Sequence, residues 1–180
     1  MLGVWDFIDS STPTLPLATQ LPRQQLKKMT DAATYIRAAG SDDIPVLSGL
    51  IRVSFRDVAE RFALTFENCP KHPSNCTDEW IENDFARGVA YYILESGGTP
   101  VGCVALEKAN PDLCYLERLG VLPQSRRKGF GKELVDHVFS EARALGARKV
   151  SIGIISGDTE LKLWYQRIGF VEKDDRRNNI

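Results

Sequence analysis

The chain has 180 residues, 43% hydrophobic and 26% charged, with 23 Lys and Arg against 24 Asp and Glu for a net charge of −1. That composition suits one soluble domain large enough to bury a core, and the balanced charge argues against nucleic acid as a partner. No apolar run approaches the ~20 residues of a membrane span, and the start, with Asp6 and no basic region, is not a secretory signal, so the chain is read as cytoplasmic.

Residues 1–30 carry Ser10-Ser11-Thr12-Pro13-Thr14 and further prolines at 16 and 22. Weak periodicity there predicts an extension outside the domain, partly ordered at best, with a short helix over 24–29. The domain itself is read as 31–175, followed by a polar tail, 176–180. A strand is predicted over 34–38. Ser41, Asp42, Asp43 and Pro45 are helix-start residues, and Leu47, Leu50, Ile51, Phe55 and Val58 then form one apolar helical face. Residues 65–75, with Pro70 and Pro73, read as a loop, and Thr77, Asp78 and Glu79 open a second helix to about residue 87. Strands over 89–94 and 100–106 flank the hairpin turn Ser96-Gly97-Gly98-Thr99, and another strand spans 115–121. A helix after Gly129 runs to residue 145, where Gly146 stops it. Residues 149–155 are β-rich, 159–168 form a helix stopped by Gly169, and a last strand begins at Phe170. This order predicts an α/β sandwich with a mixed sheet.

Four cysteines, Cys69, Cys76, Cys103 and Cys114, form no CxxC pair and are expected as free thiols. Cys69, His72 and Cys76 lie close in sequence, but a structural zinc site needs four ligands and no second pair completes one. No metal is expected.

The richest stretch is 116–132, LERLGVLPQSRRKGFGK. A strand ends in a proline turn, then Arg126, Arg127 and Lys128 precede Gly129 and Gly131, and Lys132 follows in an amphipathic helix. Glycines allow close backbone approach, helix-terminal N–H groups attract anions, and the cations have no acid among them. Cations at a helix start oppose the macrodipole, so their clustering implies an anionic partner. It is not a Walker loop, since Glu133 follows Gly131-Lys132, nor a dinucleotide fingerprint, since Leu134 stands where a third glycine belongs.

Arg126-Arg127-Lys128-Gly129-Phe130-Gly131 resembles the acyl-CoA signature of the GNAT superfamily of N-acyltransferases, Gln or Arg, two residues, Gly, one residue, Gly or Ala. The element order over 31–175 is similar too, and Trp164-Tyr165-Gln166-Arg167-Ile168-Gly169-Phe170 resembles the family's closing motif. The resemblance is strongest over 114–172. It implies a mixed, mostly antiparallel sheet of six to seven strands flanked by helices. It implies acetyl-CoA as co-substrate, bound at Arg126, Arg127, Lys128, Gly129, Phe130, Gly131 and Lys132, with direct transfer to a primary amine. Backbone groups of Leu119, Gly120 and Val121 would then receive the pantetheine arm and the oxyanion.

Transfer from a thioester requires a deprotonated amine, donors for the oxyanion and a proton for the leaving thiolate. The resemblance suggests Tyr165 as general acid; its alternative is a core aromatic. Where the family often has a cofactor-contacting asparagine the chain has Asp158, which cannot donate as an amide does and which also suits a helix cap. Glu117 is the candidate base, and a surface ion pair is its alternative. Strand alternation places Glu117 with Tyr115, Leu119 and Val121, and Arg118 opposite. His72 is the rival base. The resemblance implies that the acceptor enters near residues 55–87, a stretch that is acidic with Asp57, Glu60, Glu67, Glu79, Glu82 and Asp84. A homodimer is compatible with the chain. The rival function is a catalytically silent acyl-CoA sensor or interaction module.

Overall fold

A computed structural model describes residues 2–8 and 33–173. In chain order its elements are β1 (Leu2–Ile8), β2 (Thr34–Ala38), α1 (Ile44–Arg61), α2 (Asp78–Ala86), β3 (Ala90–Ser96), β4 (Thr99–Asn110), β5 (Leu113–Val121), α3 (Phe130–Ala144), β6 (Lys149–Ile155), α4 (Thr159–Arg167) and β7 (Val171–Lys173). The strands form one seven-stranded sheet in the order β2-β3-β4-β5-β6-β1-β7. β5 and β6 pair parallel and the other neighbours antiparallel.

Both faces of the sheet are covered, which is why β3 and β4 read as nearly unbroken apolar runs. On one face Tyr91, Ile93, Cys103 and Ala105 pack against Leu47, Leu50 and Ile51 of α1 and Ile81 of α2. On the other Tyr92, Leu94, Val104 and Leu106 join Leu134, Val135, Val138 and Phe139 of α3 and Tyr165 of α4. The β3–β4 turn has Gly97 and Gly98 at φ 59° and 76°, the positive values a tight two-residue hairpin needs. α2 is capped by Thr77, whose hydroxyl accepts from the Trp80 N–H at 3.4 Å.

Two expectations need correction. The first seven described residues are not an extension: β1 lies inside the sheet, paired with β6 on one side and β7 on the other. Trp5 is fully buried, and Asp6 is buried against Ser151, Lys149 and Lys173. Burial pushes the Asp6 carboxyl up, but hydrogen bonds from Lys173 and Ser151 and the nearby lysine charges together hold it below its ordinary range. The short helix expected over 24–29 and the tail 176–180 lie outside the described residues.

Strict alternation also fails in β5. Between the pairs Cys103↔Gly120 and Ala105↔Glu117, β4 has one residue where β5 has two, Arg118 and Leu119. This bulge resets the strand. Glu117 and Gly120 therefore share the α1–α2 face with their cross-strand partners, whereas Leu119 and Val121 pack against the α3 side. Arg118, at φ 51°, reaches Asp84 of α2 rather than the opposite face.

Candidate active site

β5 and β6 are neighbours for three residue pairs, Leu113↔Lys149, Cys114↔Val150 and Tyr115↔Ser151, and then separate. Beyond that point a cavity of about 400 Å³ opens between them. Leu116, Glu117, Arg118 and Leu119 wall it on the β5 side, and Ile152, Gly153, Ile154 and Ile155 on the β6 side. Phe55 and Val58 of α1, the loop residues Lys71, His72 and Pro73, and Asp158, Leu161 and Tyr165 close it. Strand edges facing a cavity leave backbone donors and acceptors available to an amide-rich ligand.

Glu117 makes no hydrogen bond or ion pair among the described residues. Burial, and then repulsion from Glu107, push its carboxyl above the ordinary range, against the opposing charge of Arg118. Tyr165 is 5% exposed, and its ring packs edge-on to Trp164 and Phe170 at 4.8 and 5.2 Å. Its hydroxyl has no partner among the described residues, and burial raises the phenol well above its usual range. The ring is thus part of the core, and the residue also lines the cavity.

His72 is buried in the same wall, and burial lowers its pKa. Its Nδ1 accepts from the Ser74 N–H at 3.3 Å and lies 2.8 Å from the Ser74 hydroxyl. An accepting Nδ1 puts the proton of the neutral ring on Nε2, which then donates and cannot take a proton from an amine.

The basic loop divides its labour differently from expectation. Arg126 turns inward: it bonds both oxygens of Asp57, the Ser54 carbonyl and the Val121 carbonyl. Its guanidinium is a fastening of the loop, with little left for a phosphate. Phe130 is also spent, its ring buried in the core beneath α3. Arg127 and Lys128 are exposed and unpaired among the described residues, whereas Lys132 meets Asp136 at 2.5 Å. Gly129 stands at φ 90° just before α3, and Gly131 lies under the Trp164 ring, 3.4 Å from where a Cβ would be. Among the described residues, the N–H groups of Phe130, Gly131 and Lys132 have no acceptor; Glu133 is the first to bond back, to the Gly129 carbonyl. Those free first-turn donors are suited to an anion.

Asp158 caps α4, accepting from the Leu161 N–H at 3.1 Å, and pairs with Arg61 at 2.7 Å. Its carboxylate is committed within the protein, as a cap would be. Gly120 is tightly placed: a Cβ there would come within 2.9 Å of the Ser54 Cβ. Cys103 is fully buried, and burial pushes its thiol up to about 12, which disfavours the reactive thiolate. Sequence reasoning missed Lys71, Arg118, the Arg61–Asp158 pair and Trp164 over Gly131. Each depends on residues far apart in the chain, and no local pattern signals it.

Residues 55–170 match the model of the Acetyltransferase (GNAT) family. The amino-acid acetyltransferase of Neisseria meningitidis serogroup A is 30% identical over 142 residues, covering 78% of this chain and 28% of that protein. The chain thus spans little more than a quarter of that relative. The crystal structure of the PaiA N-acetyltransferase from Thermoplasma acidophilum in complex with coenzyme A is similar with a TM-score of 0.70 at 17% identity, over 79% of this chain and 92% of that one. N-acetylglutamate synthase from Neisseria gonorrhoeae, complexed with coenzyme A and N-acetyl-glutamate, gives a TM-score of 0.55 at 29% identity, over 76% of this chain and 28% of that one.

Proposed function

This chain belongs to the acetyltransferase (GNAT) family, and from that premise we propose that it moves an acetyl group from acetyl-CoA directly to the primary amine of a small acceptor. The observation that carries the proposal is the cavity at the parting of β5 and β6, where Glu117 and Tyr165 line one space without partners of their own. The amino-acid acetyltransferase at 30% identity supports a small amine-bearing acceptor.

In this reading the phosphates of acetyl-CoA meet the free N–H groups of Phe130, Gly131 and Lys132 and the side chains of Arg127 and Lys128. The pantetheine arm lies along the unpaired edge of β5, with backbone groups of Leu119, Gly120 and Val121 at the thioester. Glu117 takes the proton of the incoming ammonium, directly or through water; its raised pKa brings it closer to the amine's and eases that step. The amine nitrogen bonds the thioester carbon, and the carbon–sulfur bond then breaks. Tyr165 meets the sulfur with its proton. Burial raises the phenol, but the same burial penalises a bare thiolate beside it, so the transfer does not become prohibitive.

The test is an initial-rate study with both substrates varied, read by free-thiol release. Direct transfer in a ternary complex gives intersecting double-reciprocal lines; parallel lines and an acetylated protein would mean a covalent route instead.

A further inference from the structure

Acetyl transfer as proposed above uses Glu117 and Tyr165 and leaves two cationic groups of the cavity without a task. Lys71 lines the cavity, is exposed, and has no hydrogen bond or ion pair among the described residues. Arg118 lines it from the β5 bulge. One of its terminal nitrogens bonds Asp84 at 2.8 Å, the other meets the Cys76 sulfur at 3.8 Å, and its Nε is buried without an acceptor. Asp84 is shared: it also accepts from Arg87 and from the Tyr91 hydroxyl, each at 2.6 Å. A single carboxylate thus serves two guanidiniums, which leaves positive charge uncompensated at the cavity wall that Arg118 lines.

The anions nearby do not fill this role. Asp158 is taken by Arg61, and Glu117 is the group that meets the amine. A simple cationic amine has no use for two further cations, which repel it. We propose that the acceptor bears a carboxylate beside its amine, as an amino acid does, with Lys71 as its ligand, the positive charge of Arg118 in the cavity wall drawing it there, and Glu117 at the amine. The Arg118 guanidinium is held ready for this by Asp84 and by the Trp80 ring 5.7 Å away. The inference rests on the acetyl-transfer reading for its reaction: the nitrogen–carbon bond forms, the carbon–sulfur bond breaks, the amine proton leaves through Glu117, a proton reaches sulfur, and the carboxylate is unchanged.

The experiment uses matched acceptors that differ by one charge: L-phenylalanine and L-phenylalaninamide, L-arginine and L-argininamide, L-leucine and L-leucinamide, each with acetyl-CoA. For at least one pair kcat/KM favours the acid by roughly tenfold or more, the size of one lost charge-assisted hydrogen bond. Lys71→Met, at an exposed position that folding tolerates, brings that pair to within about threefold on the same scale. Amides used as well as acids in every pair, or a preference untouched by Lys71→Met, overturns the inference and leaves acetyl transfer standing. If no acceptor releases thiol, the same pairs are titrated calorimetrically into the protein saturated with coenzyme A. Acid-selective binding lost in Lys71→Met then upholds the carboxylate site while acetyl transfer fails; unselective binding, or none, overturns both.

Discussion

The guanidinium of Arg126 holds both carboxylate oxygens of Asp57, at 2.6 and 3.0 Å. Two further bonds, to the carbonyls of Ser54 at 2.7 Å and Val121 at 3.1 Å, make this side chain the tie between α1, the end of β5 and the basic loop before α3. The pair is partly exposed, so its own ionic contribution is modest, ~1 kcal/mol or less. Its effect is on where the loop sits. Arg126→Ala weakens acetyl-CoA binding by roughly threefold to tenfold in calorimetry, as loss of one or two hydrogen bonds predicts. The hydrogen bond from Arg126 holds the Asp57 carboxyl below its ordinary range. Its stabilisation is therefore present above the unfolded pKa and lost as pH falls through the folded one, and the stability gap between wild type and variant closes in acid.

Gly129 and Gly131 separate backbone strain from ligand access. Gly129 occupies φ 90° with open space around it, so Gly129→Ala costs about 1–2 kcal/mol of stability through conformation alone. A methyl at Gly131 meets only the Trp164 ring, at ordinary contact distance. Gly131→Ala folds with a melting temperature near wild type yet binds acetyl-CoA more weakly, because the methyl stands where phosphate approaches. Thermal unfolding and titration together check both; equal stability losses would remove the distinction.

Tyr165→Phe deletes a hydroxyl that has no protein partner and leaves the packing of the ring against Trp164 and Phe170. Stability holds, KM for acetyl-CoA changes little, and kcat falls ~10²–10⁴-fold, the usual range for a general acid. A kcat within about twofold of wild type on that scale would leave Tyr165 as core packing alone.

Glu117 makes a signed prediction in pH. Its folded pKa is raised, first by burial and then by Glu107, so the rising limb of activity lies above the ordinary carboxylate range. The folded protein binds this proton more tightly than the unfolded chain does. The associated stability is full below the unfolded pKa and is lost as pH rises through the folded one. Glu117→Gln removes that loss: near neutrality the variant is as stable as wild type or more so, loses most activity, and recovers part of it at high pH where free amine is abundant. Matching pH–rate profiles for the two proteins would move the proton elsewhere.

Trp5→Ala tests whether β1 belongs to the domain. A fully buried indole in the sheet interior predicts a loss of ~3–5 kcal/mol in denaturant unfolding; a loss typical of a surface site, within ~0.5 kcal/mol, would detach β1 from the fold.

That strand also shows where sequence reading stops. The hairpin at Gly97-Gly98, the Thr77 cap, the glycine at the start of α3 and the apolar runs of β3 and β4 are local signals, and the fold follows from them. β1 is recognisable only through its partners, since its buried Asp6 answers Ser151, Lys149 and Lys173, some 145 residues away in the case of Ser151. The loop motif marked the two glycines at the start of α3 but did not show that Arg126 turns inward, because a basic side chain looks the same whether it faces a ligand or Asp57. Glu117 and Tyr165 emerged from the family resemblance. Their neighbours Lys71 and Arg118 did not, because one lies in an irregular loop and the other on a bulge that shifts the period by one.

The most direct measurement of the account as a whole compares wild type with the double variant Glu117→Gln, Tyr165→Phe under saturating acetyl-CoA and a panel of amines and amino acids, with free thiol and acetylated product both followed. The account predicts many turnovers of at least one acceptor by wild type, and a rate near the uncatalysed background for a double variant that still binds acetyl-CoA. No acetylated product from any amine by a wild-type protein saturated with acetyl-CoA, or equal turnover by the two proteins, would contradict it.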